Sequence, residues 1–347
     1  MRARTRATAI AATVLAAVLA PTAAFASVAP TDGGDVSWWQ GVSSLPQISA
    51  FEVVGVNAGR PTDPNEYLSQ QIAWARSGGA KVDVYVASAN PGTAGTWWPG
   101  SNRTKQGKAV RSPYGSCSAR KATLACAWIY GNSYGRDDAQ TDVTGPIGTW
   151  WIDIENGKGG NTWSSSTARN RAVVEGMVAA LQGANKHVGI YALSDQFTEV
   201  LGTVPAASSI SKLPSWVAGA ADEGAALRRC SGSSLTAGRL TMVQWSEANR
   251  TIDHDVACGT LTQPRPTISG HHRVGSRLTA KLKTWGPGSV HRTYRWTRDG
   301  HPIAKATHST YRLTRADAHH RIGVTVTGTE TGYSRAVQRS ATYRISR

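Results

Sequence analysis

The 347-residue chain exceeds one average domain and allows a large domain with a small companion. Its charge of +16 is not that of a uniformly basic protein. The first 26 residues hold three Arg and no acid, residues 264–347 hold 16 Lys and Arg against three acids, and 27–263 balance at 19 of each. Seven of the nine His also fall in the C-terminal part.

The chain begins like a secretory signal. Arg2, Arg4 and Arg6 precede an apolar run from Ala9 to Ala20, and Ala24-Phe25-Ala26 has a small-x-small cleavage pattern. The run is too short for a membrane span and stops at Pro21. The expectation is a signal peptide over 1–26, a linker over 27–33 and export. Four cysteines in an exported chain then imply two disulfides. Of the three pairings possible, the sequence-local one joins Cys117 to Cys126 and Cys230 to Cys258.

Gly34 to Gly41 reads as a strand ending in a polar loop, and Phe51 to Asn57 as a second strand. Pro64 to Ser77 has helical character, with Asp63 as its cap and Gly78-Gly79 as its stop. Val82 to Ala89 is a third strand. Residues 91–125 lack periodicity and read as a loop insertion stapled by the first cysteine pair. Ala127 to Val143 reads as helix. Trp150 to Glu155 is a fourth strand, and 156–161 a glycine-rich loop. Ser164 to Asn185 is the clearest helix, and Asp195 to Leu201 a short one. Strands follow at 188–192, 213–218, 240–245 and 252–257.

Strands alternating with helices imply parallel βα units, and eight of them over 34–262 fit a closed (β/α) TIM-type barrel, an α/β fold. An open doubly wound sheet is the alternative. From 263 to 347 the character changes to short strands at 277–282, 291–297, 310–313, 321–328 and 341–345, separated by turns such as Asp299-Gly300. This reads as a small all-β sandwich with Trp296 at its core.

Buried strands avoid acids unless the acids are used or paired. Asp153 and Glu155, at i and i+2, share one face of strand four, roughly 6–7 Å apart. Asp35 closes strand one, and strand eight adds Asp253 and Asp255. A barrel gathers strand ends at one mouth, where clustered carboxylates raise one another's pKa and one stays protonated as general acid. Glycosidic cleavage needs such a group. The alternative for each acid is a helix cap or an Arg partner. His254 sits between two acids, but strand alternation points it away from them, so no metal site is read there. No Cys-x-x-Cys, nucleophile elbow or phosphate loop is present, and no cofactor is expected.

The segments DVSWWQG, WWIDIE, VGIYA, LPSWVAGA and MVQW…IDHDVACG stand in the order found in family 25 glycoside hydrolases, the Chalaropsis-type lysozymes, and the chain resembles that family over roughly 34–259. Within it, the Trp-rich fourth strand and the Asp-x-Ala-Cys ending resemble a secreted actinobacterial subgroup. The resemblance implies Glu155 as proton donor and Asp153 as helper of the substrate's N-acetyl group. It implies Asp35 as the acid that holds the acetamido group or tunes Glu155, and Asp253 as the late active-site acid. Tyr85 and Tyr191 are candidates for binding sugar hydroxyls, Trp38, Trp39 and Trp245 for sugar platforms, and Asp255 for a further contact. The chain departs from the pattern at Trp38, where the family carries His or a similar polar residue. It also lacks the Tyr that often closes the strand-six motif, and its loop at 91–125 is atypical.

VGSRLTA, TWGPG, YRWTRDGHPI and YRLTRAD resemble the immunoglobulin-like modules of actinobacterial wall-associated proteins. The expected partners are peptidoglycan or a related glycan for the barrel and anionic wall polymers for the basic module, with no nucleic acid and a monomeric chain. A catalytically silent glycan-binding barrel and a glycosidase for another polysaccharide are the competing functions.

Overall fold

The computed structural model describes residues 32–43, 45, 49–77, 82–156, 162–230, 232–246, 253–259, 261, 263–286, 290–330 and 333–347. The signal peptide, most of the linker, Gly78-Gly79 and the glycine-rich loop after Asn156 lie outside these residues. Among the described residues no helix is long and apolar enough to cross a membrane.

Eight strands close into one barrel in sequence order: β1 (Asp32–Val36), β2 (Phe51–Gly55), β3 (Val82–Ala87), β4 (Ile147–Asp153), β5 (His187–Leu193), β6 (Ser215–Ala220), β7 (Leu240–Ser246) and β8 (Asp253–Ala257). Between β2 and β7 run α1 (Leu68–Ser77), α2 (Leu124–Gln140), α3 (Thr167–Gly183), α4 (Ser194–Leu201) and α5 (Glu223–Arg229). β1 starts at Asp32, two residues before the expected start at 34.

The barrel corrects the all-parallel expectation. β1 to β7 are parallel, whereas β8 is antiparallel to both β7 and β1. The reason lies in chain length. β7 ends at Ser246 and β8 begins at Asp253, and a parallel crossover needs roughly a dozen residues or more. Reversal decides where the strand-eight acids go. Asp253, at the start of β8, pairs with Asp35 near the carboxyl end of β1, at the mouth.

Strand alternation sorts side chains to the two sides of the wall. Val84, Trp150 and Ile152 pack outward with Val173, Met177 and Leu181 of α3. Phe51, Val53, Trp151, Tyr191, Trp216 and Met242 fill the interior. Trp150 and Trp151, neighbours in β4, thus face opposite ways. Trp151 Nε1 donates to Asp83 Oδ2 at 2.9 Å, and a Cβ placed on Gly189 would stand 2.2 Å from the Trp151 ring. Glycine is needed there for close approach.

Local signals place some elements differently. α1 begins at Leu68, so Asp63 does not cap it; Asn65 Oδ1 instead accepts from the Tyr67 N–H at the helix entry. α2 starts at Leu124, where the Thr123 hydroxyl accepts from the Cys126 N–H, and Ser166 caps α3 through the Arg169 N–H. β4 ends at Asp153, and Glu155 lies beyond it. The chain stays extended there, with the Ile154 N–H on the Tyr191 carbonyl at 3.0 Å. Both expected disulfides form, Cys117–Cys126 and Cys230–Cys258.

C-terminal to the barrel are two antiparallel sheets. One holds β9 (Thr267–Ser269), β10 (Arg277–Lys281) and β13 (Thr310–Arg312). The other holds β11 (His291–Arg298), β12 (His301–Pro302), β14 (Arg321–Glu330), β15 (Tyr333–Arg339) and β16 (Tyr343–Arg344). Ile268, Leu278, Trp296, Val324 and Ala336 from both sheets share one core. Trp296 is fully buried, as expected, with its Nε1 on the His308 carbonyl at 2.9 Å.

Candidate active site

The mouth of the barrel opens into a cavity of about 310 Å³. β1 places Asp35 in its wall, the extended end of β4 adds Asp153 and Glu155, and β8 adds Asp253. Tyr85 and Tyr191 close the interior side, and Trp38 and Trp39 stand at the rim. No Lys, Arg or His lines it among the described residues. Four carboxyls therefore share one cavity without a compensating cation among its lining residues.

The consequence is a raised proton affinity at Asp35, Asp153 and Glu155. Burial, then the Asp253 charge, pushes Asp35 up to about 8, against the pull of the Gln244 amide. Burial, then the Glu155 and Asp35 charges, holds Asp153 well above the carboxylate range. Glu155 is raised by burial; a hydroxyl donated by Tyr191 opposes this, and the Asp253 charge adds to it. Tyr191 is also pushed up, chiefly by burial, and keeps its proton.

Hydrogen bonds fix the arrangement. Gln244 Nε2 donates to Asp35 Oδ2 at 2.9 Å, and Tyr191 Oη lies 2.9 Å from Gln244 Oε1 and 3.4 Å from Glu155 Oε1. The Ser246 hydroxyl donates to Asp253 Oδ1. The Trp163 indole holds the Glu155 carbonyl at 2.8 Å, and the Ser88 hydroxyl holds that of Asp153. Asp153 Oδ1 has no partner among the described residues, an acceptor in reserve.

The rim is built on a short turn. Trp38–Gln40 form a 3₁₀ turn, the Gln40 side chain accepts from the Ser37 N–H at 2.7 Å, and Gln71 Nε2 donates to the Ser37 and Gly41 carbonyls at 2.8 and 2.9 Å. These buried amides hold the turn from beneath while Trp38 and Trp39 stay 43% and 54% exposed.

Among similar proteins, a probable GH family 25 lysozyme (number 4) of Dictyostelium discoideum is 31% identical over 71 residues, which are 20% of this chain and 30% of that protein. The match thus spans less than a third of the curated relative's length. The muramidase of Trichobolus zukalii is similar in structure at 14% identity over 65% of this chain and 92% of its own, with a TM-score of 0.42. The lysozyme of Streptomyces coelicolor stands at 16% identity over 65% and 90%, with a TM-score of 0.41. No family model matches the chain.

Two candidates fall outside the cavity. Asp255 is 1% exposed, behind Asp35, and accepts from Trp216 Nε1 at 2.6 Å. Trp245 stacks on His254 at 4.5 Å between ring centroids, on the other side of the wall. β7 alternation puts Trp245 outward and Gln244 inward, so the platform expected of Trp245 is not there, while His254 does point away from the acids.

Two residues of the site went unread. Gln244 is the one polar side chain inside the apolar run Met242-Val243-Gln244-Trp245, and that contrast marks it. Trp216 lines the cavity, packs on Tyr191 at 4.3 Å between centroids, and was hidden in a strand pattern that buries any large residue.

Proposed function

We propose that this chain is a secreted family 25-type glycoside hydrolase, a muramidase acting on peptidoglycan glycan strands. The observation carrying the reading is the cation-free convergence of Asp35, Asp153, Glu155 and Asp253 on one cavity beside two exposed tryptophans. The likeness to a family 25 lysozyme over 71 residues supports it.

Glu155 is the proton donor. Its proton passes to the glycosidic oxygen as the anomeric C–O bond breaks. The substrate's acetamido oxygen attacks the anomeric carbon, giving a cyclic oxazolinium. Asp153 takes the acetamido N–H on its unpartnered Oδ1, which stabilises the positive charge formed. Water then opens the ring as the Glu155 carboxylate takes its proton. Asp153 and Glu155 repel as a dianion, so one proton stays on the pair. Asp35 and Asp253 keep the site's proton affinity high. Trp38 and Trp39 offer stacking faces to sugar rings, and Tyr85 and Tyr191 bind at the cavity wall.

The N-terminal signal directs export, with cleavage after Ala26. The region 263–347 is an immunoglobulin-type sandwich whose excess of Arg and Lys attracts anionic wall polymers. The chain acts as a monomer.

The test is reducing-end release from purified peptidoglycan. Glu155→Gln lowers release by at least about 100-fold. Equal release from both proteins removes the enzyme reading, and wall binding without release by either leaves a glycan-binding barrel.

A further inference from the structure

Strand parity sorts the arginines of the C-terminal sheets. Trp296 pairs with Val324, and Tyr294 with Val326, on the side of β11 and β14 that faces the shared core. The alternate positions face away from it. There Arg295 lies opposite Thr325, and Thr325 lies opposite Arg339 of β15. Two glycines mark the two sides. A Cβ at Gly323, in the outward set, would stand 3.3 Å from Thr297 Oγ1, whereas one at Gly328, in the inward set, would meet the Trp285 ring at 2.6 Å. The outer face of this sheet therefore carries a transverse row, Arg295–Thr325–Arg339. Alternation along β15 adds Arg335, and Arg321 pairs with Arg344 at the far end.

All five arginines are exposed. None forms an ion pair among the described residues: Asp317 is buried against Arg298, and Asp299 takes the His320 ring and the Arg321 N–H. The cations on the face are arginines, with threonine between them. An arginine fork meets two oxygens of a phosphate at once, and a hydroxyl adds a further donor. Neighbouring strands lie about 4.8 Å apart, so Arg295 and Arg339 stand about 10 Å apart across Thr325, within reach of one anion between them. No Trp, Tyr or Phe lies on this face among the described residues, because Tyr294 and Trp296 turn inward. Neither bases nor sugar rings gain a stacking surface there. We propose that this outer face binds a wall polymer of repeating phosphodiesters, with Arg295 and Arg339 clasping one phosphate over Thr325.

The proposal rests on the reading of residues 263–347 as a region drawn to anionic wall polymers, and it names the face and the anion. The three-stranded sheet provides a charge-matched comparison. Its outward set includes Arg277 directly opposite Arg312, both exposed. These two sit on adjacent strands with no hydroxyl-bearing residue between them. Removing them lowers the net charge by the same amount as removing Arg295 and Arg339.

The test is calorimetric titration of the full chain with poly(glycerol phosphate) at about 0.15 M salt, where charges are screened beyond roughly 8 Å. Arg295→Gln with Arg339→Gln weakens binding by at least about 10-fold, the loss of two charged hydrogen-bonding groups. Arg277→Gln with Arg312→Gln weakens it by no more than about threefold, through screened attraction alone. All four positions are exposed, so both double variants keep the fold. Equal losses from the two pairs overturn the assignment of the face and leave the electrostatic attraction standing. A wild type that does not bind the polymer overturns both. Polyglutamate of matched charge binding as tightly overturns the choice of phosphate. Oligo(dT) binding more tightly than poly(glycerol phosphate) of the same phosphate number overturns the wall polymer in favour of nucleic acid.

Discussion

Gly189→Ala tests the packing that holds the site. The added methyl would lie 2.2 and 2.3 Å from two Trp151 ring carbons, where ordinary contact is about 3.5–4.0 Å. Trp151 must therefore move by more than ~1 Å. It cannot do so freely: it is buried, lies edge-on to Trp216 at 6.0 Å, and is tied to Asp83 at 2.9 Å. A shift of that size takes the indole N–H out of hydrogen-bond range of a carboxylate that is itself wholly buried. Overpacking costs about 1–3 kcal/mol and leaving a buried hydrogen-bonding group without its partner about 1–3. The expected loss is about 3–5 kcal/mol, a large share of a typical domain's stability. Urea unfolding followed by tryptophan fluorescence measures it. Gly183→Ala is the control: nothing lies within 4 Å of its Cβ at the exposed end of α3, and alanine should be neutral or stabilise by up to about 1 kcal/mol. A Gly189→Ala protein within about 1 kcal/mol of wild type would refute the view that Trp151 is pinned.

Asp35 binds its proton up to about 8 when folded and up to about 3.9 when unfolded, so between those values the folded state holds the extra proton and stability falls as pH rises. Asp35→Asn removes that slope, and its stability relative to wild type should improve by more than about 1 kcal/mol from pH 5 to pH 8 in parallel denaturant titrations. Asp317 is the opposite case. Burial raises it, but the Thr314 N–H at 2.7 Å and Arg298 at 2.7 and 2.8 Å hold it below its ordinary value. Its stabilisation is present above about pH 4 and is lost as pH falls through the lowered value. Asp317→Asn should cost about 3 kcal/mol at pH 7, read by calorimetry, and progressively less as pH falls below about 4. Binding of the full chain to anionic wall polymer should weaken steeply from 50 to about 500 mM salt; salt-independent binding would exclude the electrostatic attraction.

Strand order and the site acids were legible because buried strands tolerate few carboxylates, so Asp35, Asp153 and Asp253 stood out against apolar runs. The reversal of β8 was legible in principle from the gap between Ser246 and Asp253. Strand counting alone passed over it. What one strand cannot show is which partner waits across the wall. The pairing of Asp255 with Trp216 depends on β6 and β8 facing across the interior, and Gln244 acquires meaning only between Asp35 and Tyr191. Trp245 failed as a platform for the same reason: the parity of one strand decided it. In the C-terminal sheets β15 went unread because Tyr333–Arg339 alternates weakly and carries two arginines.

The reversed strand also decides where the chain leaves the barrel. β8 starts at the mouth beside Asp35 and ends at the opposite end, where the Cys230–Cys258 bridge ties its last turn to the end of α5. Tension on the segment after Cys258 therefore enters through a covalent cross-link at the floor, remote from Glu155. A barrel tethered by its C-terminal side can be pulled without the load path crossing the cavity.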